Sequence, residues 1–539
     1  MQGNMQTESM LISHLLDFGE QYHGQQEIVS RNTEGGVHRY RFKDLAQRAR
    51  QGANMLTRLG IGKGERVATL AWNNHRHLEM YFAISGMGAV LHTLNPRLFH
   101  DQLVYIVNHA EDRCILTDST FVPILEQVAD QFEKVEHIVV LTDRANMPES
   151  KLNLLCYEDL MASESDQFDW PALDENTASA LCYTSGTTGN PKGVLFSHRS
   201  TLLHSWALST KSALGLDDQS CILPVVPMFH VNAWGMPYAS LANGCKMVLP
   251  GPQLDGASLY ELIESEKPDI LMGVPTVWLG LLNYLSSTDT RLQNVNTVLV
   301  GGSAAPISMI REFDQKHNAF LLHAWGMTEM SPLGTLNVPN RQLVALEPEE
   351  RYALQTKQGR PIFGVEIRIV DESGQTLAHD GSTFGALQVK GPWIMERYYK
   401  TQESALTEDG WFDTGDVATV DANGYMQIVD RAKDVIKSGG EWISSIELEN
   451  VAVGHPQVVE ACVIGVAHPK WDERPILLVV AKEANDIDKE GLLSFLTDKV
   501  AKWWLPDDIL FVDDLPHTAT GKLKKISLRE QYKDHLQAS

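Results

Sequence analysis

One short loop constrains the fold and function of this chain more than any other segment. It follows an apolar stretch at residues 178–183 that reads as a buried strand, and it consists of Thr184-Ser185-Gly186-Thr187-Thr188-Gly189-Asn190-Pro191-Lys192. Its glycines let backbone N–H groups approach phosphate oxygens, its hydroxyl groups add donors, and Lys192 adds a positive charge. A helix is predicted to begin near Ser197 or Ser200, which places the loop where phosphate loops lie in α/β proteins. We therefore expect it to bind ATP.

Two other glycine-rich motifs do not fit this chain. A Walker A loop needs a glycine where Pro191 stands and a Ser or Thr where Gly193 follows Lys192. The segment Gly301-Gly302-Ser303-Ala304-Ala305 has alanine at the second glycine of a hydrolase nucleophile elbow. A P-loop NTPase and a serine hydrolase are therefore disfavoured, and a flexible turn without ligand is the remaining alternative to a nucleotide loop.

The order of predicted elements indicates two domains. From residue 40 to about 430, amphipathic helices alternate with short apolar runs, which is typical of parallel sheets covered by helices. Residues 411–430 read as a β-hairpin with an Asn-Gly turn. After it, strands at 459–466, 475–481 and 509–512 and a helix at 490–504 form a smaller α+β unit. We predict an α/β N-terminal domain at 1–431, a small mobile C-terminal domain at 434–539, and a hinge near 432–433.

Composition narrows the classes of ligand and compartment. The net charge of −24 opposes binding to nucleic acid and to anionic lipid, so an anionic ligand must be met by a few local cations. The N-terminus shows neither a signal peptide nor a membrane anchor, which predicts no membrane insertion and a cytoplasmic protein. Six scattered cysteines without zinc spacing are expected to be free buried thiols.

Four further segments carry polar or aromatic groups that suit a nucleotide site. They are Trp325-Gly326-Met327-Thr328-Glu329, Phe412-Asp413-Thr414-Gly415-Asp416, the joint that runs from Arg431 through Lys433 to Ser438-Gly439-Gly440, and Thr520-Gly521-Lys522. Together with the phosphate loop, and in this order, they resemble the adenylate-forming superfamily of acyl-CoA synthetases, firefly luciferase and the adenylation domains of peptide synthetases. The resemblance covers nearly the whole chain. The residues within the motifs are most similar to those of bacterial medium-chain acyl-CoA ligases.

The resemblance implies a two-step reaction. A carboxylate attacks the α-phosphorus of ATP to give acyl-AMP and pyrophosphate, and the thiol of coenzyme A then displaces AMP. ATP, Mg²⁺ and coenzyme A are the expected cofactors, and a homodimer is the expected assembly. The implied acid is short- or medium-chain, with 3-methylmercaptopropionate as the first choice and a plain medium-chain fatty acid as the alternative.

The resemblance also assigns the nucleotide site. Thr184 and Glu329 would hold Mg²⁺ and act in catalysis with Lys522 and His230, although His230 is equally explained as a core residue bonded to backbone. The implied ATP- and AMP-binding residues are Thr184, Ser185, Gly186, Thr187, Thr188, Gly189, Lys192, Gly302, Ser303, Ala304, His323, Ala324, Trp325, Gly326, Met327, Thr328, Asp416, Ile428 and Arg431. Many relatives carry Tyr where this chain has Trp325, so stacking on adenine is expected to survive while a role for a phenol is in doubt.

The other implied sites lie on either side of the nucleotide. The acyl pocket would be lined by His230, Val231, Trp234, Gly302, Met330 and Pro332. The pantetheine arm of coenzyme A would pass Ser438, Gly439, Gly440, Glu441 and Trp442 after the small domain rotates about Lys433. Two other functions stay open at this point, namely an adenylating enzyme that does not use free coenzyme A and a nonenzymatic nucleotide-binding protein.

The division of labour between the two steps is testable. Lys522→Ala should abolish most adenylation while sparing thioester formation from supplied acyl-AMP, because the lysine charge would act only on the adenylation transition state. Gly440→Leu should do the reverse, because a side chain there would obstruct pantetheine. Both half-reactions are measured separately, and equal loss of both in either variant contradicts the assignment.

Overall fold

A computed structural model describes residues 1, 3–184, 190–438, 441–482, 487–497, 499–517 and 523–536. Its strands are β1 Glu27–Arg31, β2 Val37–Arg41, β3 Arg66–Leu70, β4 Val90–Thr93, β5 Asp112–Thr117, β6 His137–Val140, β7 Leu154–Cys156, β8 Ala178–Tyr183, β9 Gly193–Ser197, β10 Cys221–Pro224, β11 Lys246–Leu249, β12 Ile270–Gly273, β13 Thr297–Val300, β14 Phe320–Gly326, β15 Leu333–Leu336, β16 Arg360–Pro361, β17 Glu366–Val370, β18 Gly385–Lys390, β19 Phe412–Val420, β20 Met426–Arg431, β21 Ile436–Ser438, β22 Glu441–Ile443, β23 Val458–His468, β24 Asp472–Ala481 and β25 Asp508–Phe511.

The helices cover these strands. They are α1 Ile12–His23, α2 Phe42–Arg58, α3 His75–Gly86, α4 His100–Ala110, α5 Val122–Val128, α6 Tyr157–Met161, α7 His198–Ser209, α8 Val231–Trp234, α9 Met236–Asn243, α10 Gly256–Glu266, α11 Pro275–Thr288, α12 Ile307–His317, α13 Arg341–Val344, α14 Pro348–Gln355, α15 Ser445–Val453, α16 Lys489–Thr497 and α17 Lys525–Tyr532. Short 3₁₀ turns lie at Ser119–Phe121, Ala129–Gln131, Arg144–Asn146, Thr328–Met330 and Lys502–Trp504.

Two large sheets make up most of the N-terminal part. One has the strand order β7-β6-β5-β3-β4-β8-β9, and the other has the order β16-β15-β14-β13-β12-β10-β11-β1-β2. Their inner strands run parallel, as the alternation of helices and apolar runs predicts. The predicted α/β class with a smaller α+β unit is confirmed.

Helix α3 lies between the two sheets and is buried along its whole length. Its polar side chains are therefore paired inside the protein. The Glu79 carboxylate accepts hydrogen bonds from Arg48 Nε and from the Tyr157 hydroxyl, both at 2.6 Å. The Asn74 side chain caps the helix by accepting from the His77 N–H at 3.0 Å.

A four-stranded antiparallel sheet follows, in the order β17-β18-β19-β20. The predicted hairpin at 411–430 is confirmed as β19 and β20, but the connection is wider than an Asn-Gly pair. Asp421 N donates to Tyr425 O at 3.0 Å, and Gly424 adopts a φ of +81° in the turn. The Asp421 carboxylate accepts from the backbone of Asn423 and Tyr425, which stabilises the longer turn.

One expected helix boundary is confirmed and another is wrong. Helix α7 begins at His198 with Ser197 as its N-cap, which confirms the start expected near Ser197 or Ser200. Between the phosphate loop and this helix, residues 193–197 pair with β8 as the antiparallel strand β9. The helix expected at 490–504 is shorter, since α16 spans Lys489–Thr497 and a separate 3₁₀ turn follows at Lys502–Trp504.

The C-terminal unit places β21, β22, β23, β24 and β25 in one sheet, with α15 and α16 on one face and α17 on the other. It is joined to β20 by buried polar contacts. Ser445 N and Oγ donate to Asp430 Oδ2 at 2.8 and 2.5 Å, and Ser444 Oγ donates to Val429 O. Lys525 of α17 donates to the Ser445 hydroxyl and pairs with Glu449 at 2.7 Å. Burial opposes the charge on Lys525, but Glu449 and Asp430 outweigh it and raise the pKa of the lysine.

All six cysteines are buried and free, as expected. Among the described residues, no helix combines the length and apolar character needed to cross a membrane.

Lys525→Met should loosen the C-terminal unit, because it leaves Glu449 and Asp430 buried without their shared cation. Removing one partner of a buried ion pair costs about 3–5 kcal/mol. We expect faster amide hydrogen exchange in α15 and β21. Lys533→Met, at an exposed position just after the same helix, is the control, and equal exchange in the two variants would contradict this account.

Candidate active site

The two ends of the phosphate loop are held together by β-pairing. Tyr183 pairs with Gly193 across β8 and β9, and Thr184 N donates to Lys192 O at 2.9 Å. Thr184 and Lys192 therefore face each other at the neck of a hairpin loop. The predicted Ser185, Gly186, Thr187, Thr188 and Gly189 lie outside the described residues.

Glu329 lies on the 3₁₀ turn Thr328–Met330 and is 7% exposed. Burial raises the pKa of its carboxyl group, while Tyr398 and Arg431 act in the opposite direction. The Tyr398 hydroxyl donates to Glu329 Oε1 at 2.9 Å. The ammonium group of Lys192 lies 4.8 Å from the centre of the same tyrosine ring. The structure thus places Lys192 at the ring and Glu329 at the hydroxyl of Tyr398, a residue that the sequence analysis did not select.

Trp325 and Asp416 form a second polar group. Trp325 Nε1 donates to Asp416 Oδ2 at 3.0 Å, and Arg431 Nε pairs with Asp416 Oδ1 at 2.9 Å. Asp416 and Arg431 are direct partners in the β19–β20 pairing. Trp325 has no phenol hydroxyl, which many relatives carry at this position. Its indole N–H nevertheless supplies a hydrogen-bond donor to the Asp416 carboxylate.

The backbone around Trp325 approaches its neighbours too closely for side chains. A Cβ on Gly334 would lie 2.6 Å from both the Trp325 ring and Met330 Cε, so glycine lets one face of the indole pack there. A Cβ on Gly326 would lie 2.0 Å from Pro332 O, which accepts from Met327 N at 3.1 Å. The predicted nucleotide and acyl residues therefore meet at one turn.

The remaining nucleotide candidates lie on strands of two different sheets or directly after one of them. Gly302, Ser303 and Ala304 follow β13, and Gly302 has a φ of +83°. His323 and Ala324 are on β14; burial lowers the pKa of His323 to about 4, and its Nδ1 lies 3.0 Å from Thr356 O. Ile428 N donates to Gln358 Oε1 at 2.6 Å. The carboxyl ends of adjacent parallel strands are a common place for ligand sites.

The acyl candidates lie on a turn of unusual backbone conformation. Val231, Asn232, Ala233 and Trp234 have φ angles of 44°, 51°, 48° and 55°. Left-handed conformation costs L-residues about 1–2 kcal/mol each. The strain is offset by packing, since the first three residues are buried and Cys182 Sγ donates to Asn232 Oδ1 at 3.5 Å. His230 is half-buried at the start of the turn.

The turn places the Trp234 indole against Gly301. A Cβ on Gly301 would lie 3.0 Å from Trp234 Cη2. Pro332 follows a cis Ser331–Pro332 bond, and Leu333 N donates to His204 Nε2 at 3.2 Å. Burial lowers the pKa of His204 to about 3, so its ring is a neutral acceptor. No local pattern pointed to His204, which lies 129 residues from Leu333.

The predicted hinge region contacts the C-terminal helix. Arg529 donates to the Lys433 carbonyl oxygen and pairs with Asp434 at 2.7 Å, and burial lowers the pKa of Lys433. Ser438 is buried, and its hydroxyl accepts from Arg474 NH1 at 3.2 Å. Gly439, Gly440 and Lys522, and the side chains of Glu441 and Trp442, lie outside the described residues. Rotation about Lys433 and the domain bounds stay predictions.

The donor set near Glu329 fits Mg²⁺. Among the described residues, no group of three or more His, Cys, Asp or Glu side chains could hold a metal ion. Mg²⁺ in nucleotide sites is usually bound by one or two carboxylates, with substrate phosphates and water completing its oxygen shell. Glu329 and the Thr184 hydroxyl supply oxygen donors of this kind. They fit a metal ion that is bound together with a polyphosphate.

The chain is similar to known proteins over nearly its whole length. The model of the AMP-binding enzyme family matches residues 18–399, and that of the AMP-binding enzyme C-terminal domain matches residues 447–522. A 3-methylmercaptopropionyl-CoA ligase of Ruegeria lacuscaerulensis is 51% identical over 99% of this chain and 100% of its own length. A medium-chain-fatty-acid–CoA ligase of Ectopseudomonas oleovorans is 49% identical over 99% and 98%. The crystal structure of the anthranilate CoA ligase AuaEII with anthranoyl-AMP superposes with a TM-score of 0.86 at 24% identity, covering both chains fully.

Trp325→Phe should weaken AMP binding about fivefold, since it keeps an aromatic face but removes one hydrogen bond that orients Asp416. Calorimetric titration with AMP measures the change. Trp411→Phe is the control, because Trp411 stacks with Arg368 at 4.4 Å and neither residue belongs to the site. Unchanged AMP affinity in Trp325→Phe would show that the indole N–H does not position Asp416 for the ligand.

Proposed function

Because the chain belongs to the AMP-binding enzyme family, we propose that it joins a short- or medium-chain carboxylic acid to coenzyme A, with 3-methylmercaptopropionate as the first candidate acid. The protein is an acid–thiol ligase. It forms an acyl adenylate and pyrophosphate from the acid and ATP, and then a coenzyme A thioester and AMP. Two relatives, 51% and 49% identical to this chain, are named for acids of this size, which supports the choice of acid.

One observation supports the proposed site: a cation lies over the ring of Tyr398 and a carboxylate accepts from its hydroxyl, near a second carboxylate that accepts from an indole N–H. Arg431 and Asp416 lie close enough to Glu329 to affect the pKa of its carboxyl group. The phosphate-loop neck, the turn of Glu329 and the Asp416 group therefore lie close together, and we propose that they line one nucleotide site.

Each group has a role that its chemistry supports. Thr184 and Lys192 donate to the β- and γ-phosphates, Asp416 accepts from ribose hydroxyls with Arg431 beside it, and Trp325 forms one wall of the adenine slot. Glu329 and Thr184 hold Mg²⁺, which when bound offsets the charge that develops on the phosphate oxygens. Exclusion of water by the buried Glu329 turn strengthens these electrostatic contacts.

The acyl side limits the length of the acid. Trp234 lies in the left-handed turn and packs against Gly301. In this proposal its indole closes the acyl pocket beyond His230. A thioether would gain sulfur–aromatic contact at Trp234 of about 0.3–1.5 kcal/mol. That gain favours 3-methylmercaptopropionate over a plain acid of the same length by a modest factor.

The second step uses the C-terminal unit in this proposal. Lys522 leaves after adenylation, and residues 438–442 line the path of pantetheine when the unit rotates about Lys433. The free buried cysteines support a reducing compartment, and we place the enzyme in the cytoplasm. Assembly as a homodimer stays a prediction that sedimentation would test.

A pyrophosphate-release assay over a panel of acids, with and without coenzyme A, tests the proposed substrate. The wild-type enzyme should prefer 3-methylmercaptopropionate and four- to eight-carbon acids, estimated at about tenfold over a twelve-carbon acid. Trp234→Ala should shift the preference toward longer acids, because it opens the pocket beside Gly301.

Leu195→Ala is the control for this variant, since Leu195 is an exposed residue of β9. An unchanged chain-length preference in Trp234→Ala would remove Trp234 from the pocket. Pyrophosphate release with every acid but no thioester product would contradict the use of free coenzyme A.

A further inference from the structure

Tyr398 is held by backbone on both sides. Met395 N donates to Glu329 O at 2.9 Å, and Tyr399 N donates to Gly193 O at 2.8 Å. We call residues 391–400 the bridging segment, because it connects the Glu329 turn to the strand that leaves the phosphate loop. A third contact, from Ser331 Oγ to Trp393 O at 3.0 Å, fixes its start. The backbone that carries Tyr398 is therefore fixed by contacts that do not involve the two charged side chains.

The tyrosine meets those charges with two different groups. Its hydroxyl donates to Glu329 Oε1 at 2.9 Å, while its ring face lies under the Lys192 ammonium at 4.8 Å. Lys192 is exposed, and Glu329 is buried. In the part of the chain that the structure describes, neither residue forms an ion pair.

A direct Lys192–Glu329 ion pair would compete with both ligands. That pair would have to break before Lys192 could bind phosphate or Glu329 could bind a metal ion. A ring face holds an exposed cation weakly, and a phenol donates only one hydrogen bond to the carboxylate. Tyr398 thus keeps the two charges apart and orients both, yet each contact can be exchanged for a ligand.

We propose that Tyr398 is a positioning residue for adenylation, holding Lys192 for the phosphates with its ring and Glu329 for Mg²⁺ with its hydroxyl. This inference rests on the roles proposed above for Lys192 and Glu329. Two variants separate the positioning of Glu329 from that of Lys192. Tyr398→Phe removes only the hydroxyl, whereas Tyr398→Leu removes both the hydroxyl and the ring.

Binding without turnover tests the proposal, since adenylation cannot proceed when no acid is present. Mn²⁺ is used as the metal probe, and free Mn²⁺ is measured by electron paramagnetic resonance in the presence of enzyme and ATP. ATP binding without metal is measured by equilibrium dialysis. Tyr398→Phe should weaken Mn²⁺ binding about tenfold, because it removes one hydrogen bond to a charged group. It should leave metal-free ATP binding unchanged. Tyr398→Leu should weaken both.

Tyr399→Phe is the matched control, because it keeps the backbone contact to Gly193 and changes a neighbouring phenol of the same segment. It should bind Mn²⁺ and ATP like the wild type, and melting temperatures verify that all three variants are folded. Equal Mn²⁺ affinity in Tyr398→Phe and the wild type overturns the proposal, whatever Tyr398→Leu does. Failure of the wild type to bind ATP would instead overturn the proposed function.

Discussion

The burial of helix α3 between the two large sheets is the constraint on which both halves of the site depend. A helix without a solvent-facing side must pair every polar side chain with protein groups. Ser85 donates to Ser179 O on β8 at 3.0 Å, and the Tyr81 hydroxyl donates to Met228 O just before His230. One helix therefore sets the distance between the strand that leads to the phosphate loop and the segment that leads to the acyl pocket.

The charges of the site are local exceptions in an acidic protein. With a net charge of −24, the molecule as a whole repels a polyphosphate. Among the described residues of the proposed site, Lys192 and Arg431 are cations, and each is oriented by a neighbour, the Tyr398 ring and the Asp416 carboxylate. Cations that are positioned before the ligand arrives lose little freedom on binding, which lets a few charges suffice.

In the turn that carries the proposed acyl-pocket residues, backbone strain is offset by packing. The left-handed turn at Val231–Trp234 is unfavourable for a β-branched residue, and it persists because the turn is buried and bonded to Cys182 on β8. The same turn aims the Trp234 indole at Gly301. The position of the proposed pocket residue Trp234 thus depends on backbone conformation as well as on the size of its side chain.

The fold class, the glycine- and hydroxyl-rich loop, and most of the positions that carry charge or an aromatic ring could be predicted from the sequence. These depend on local pattern: alternation of apolar residues, glycines that permit close approach, and motifs within a few residues. It could not reveal that β9 turns the loop into a hairpin. Nor could it show that Tyr398 reaches Glu329, 69 residues away, or that Trp325 bonds to Asp416, 91 residues on. Only the tertiary structure decided those pairs, because they arise from how separate sheets stack, and a periodicity along the chain contains no information about that stacking.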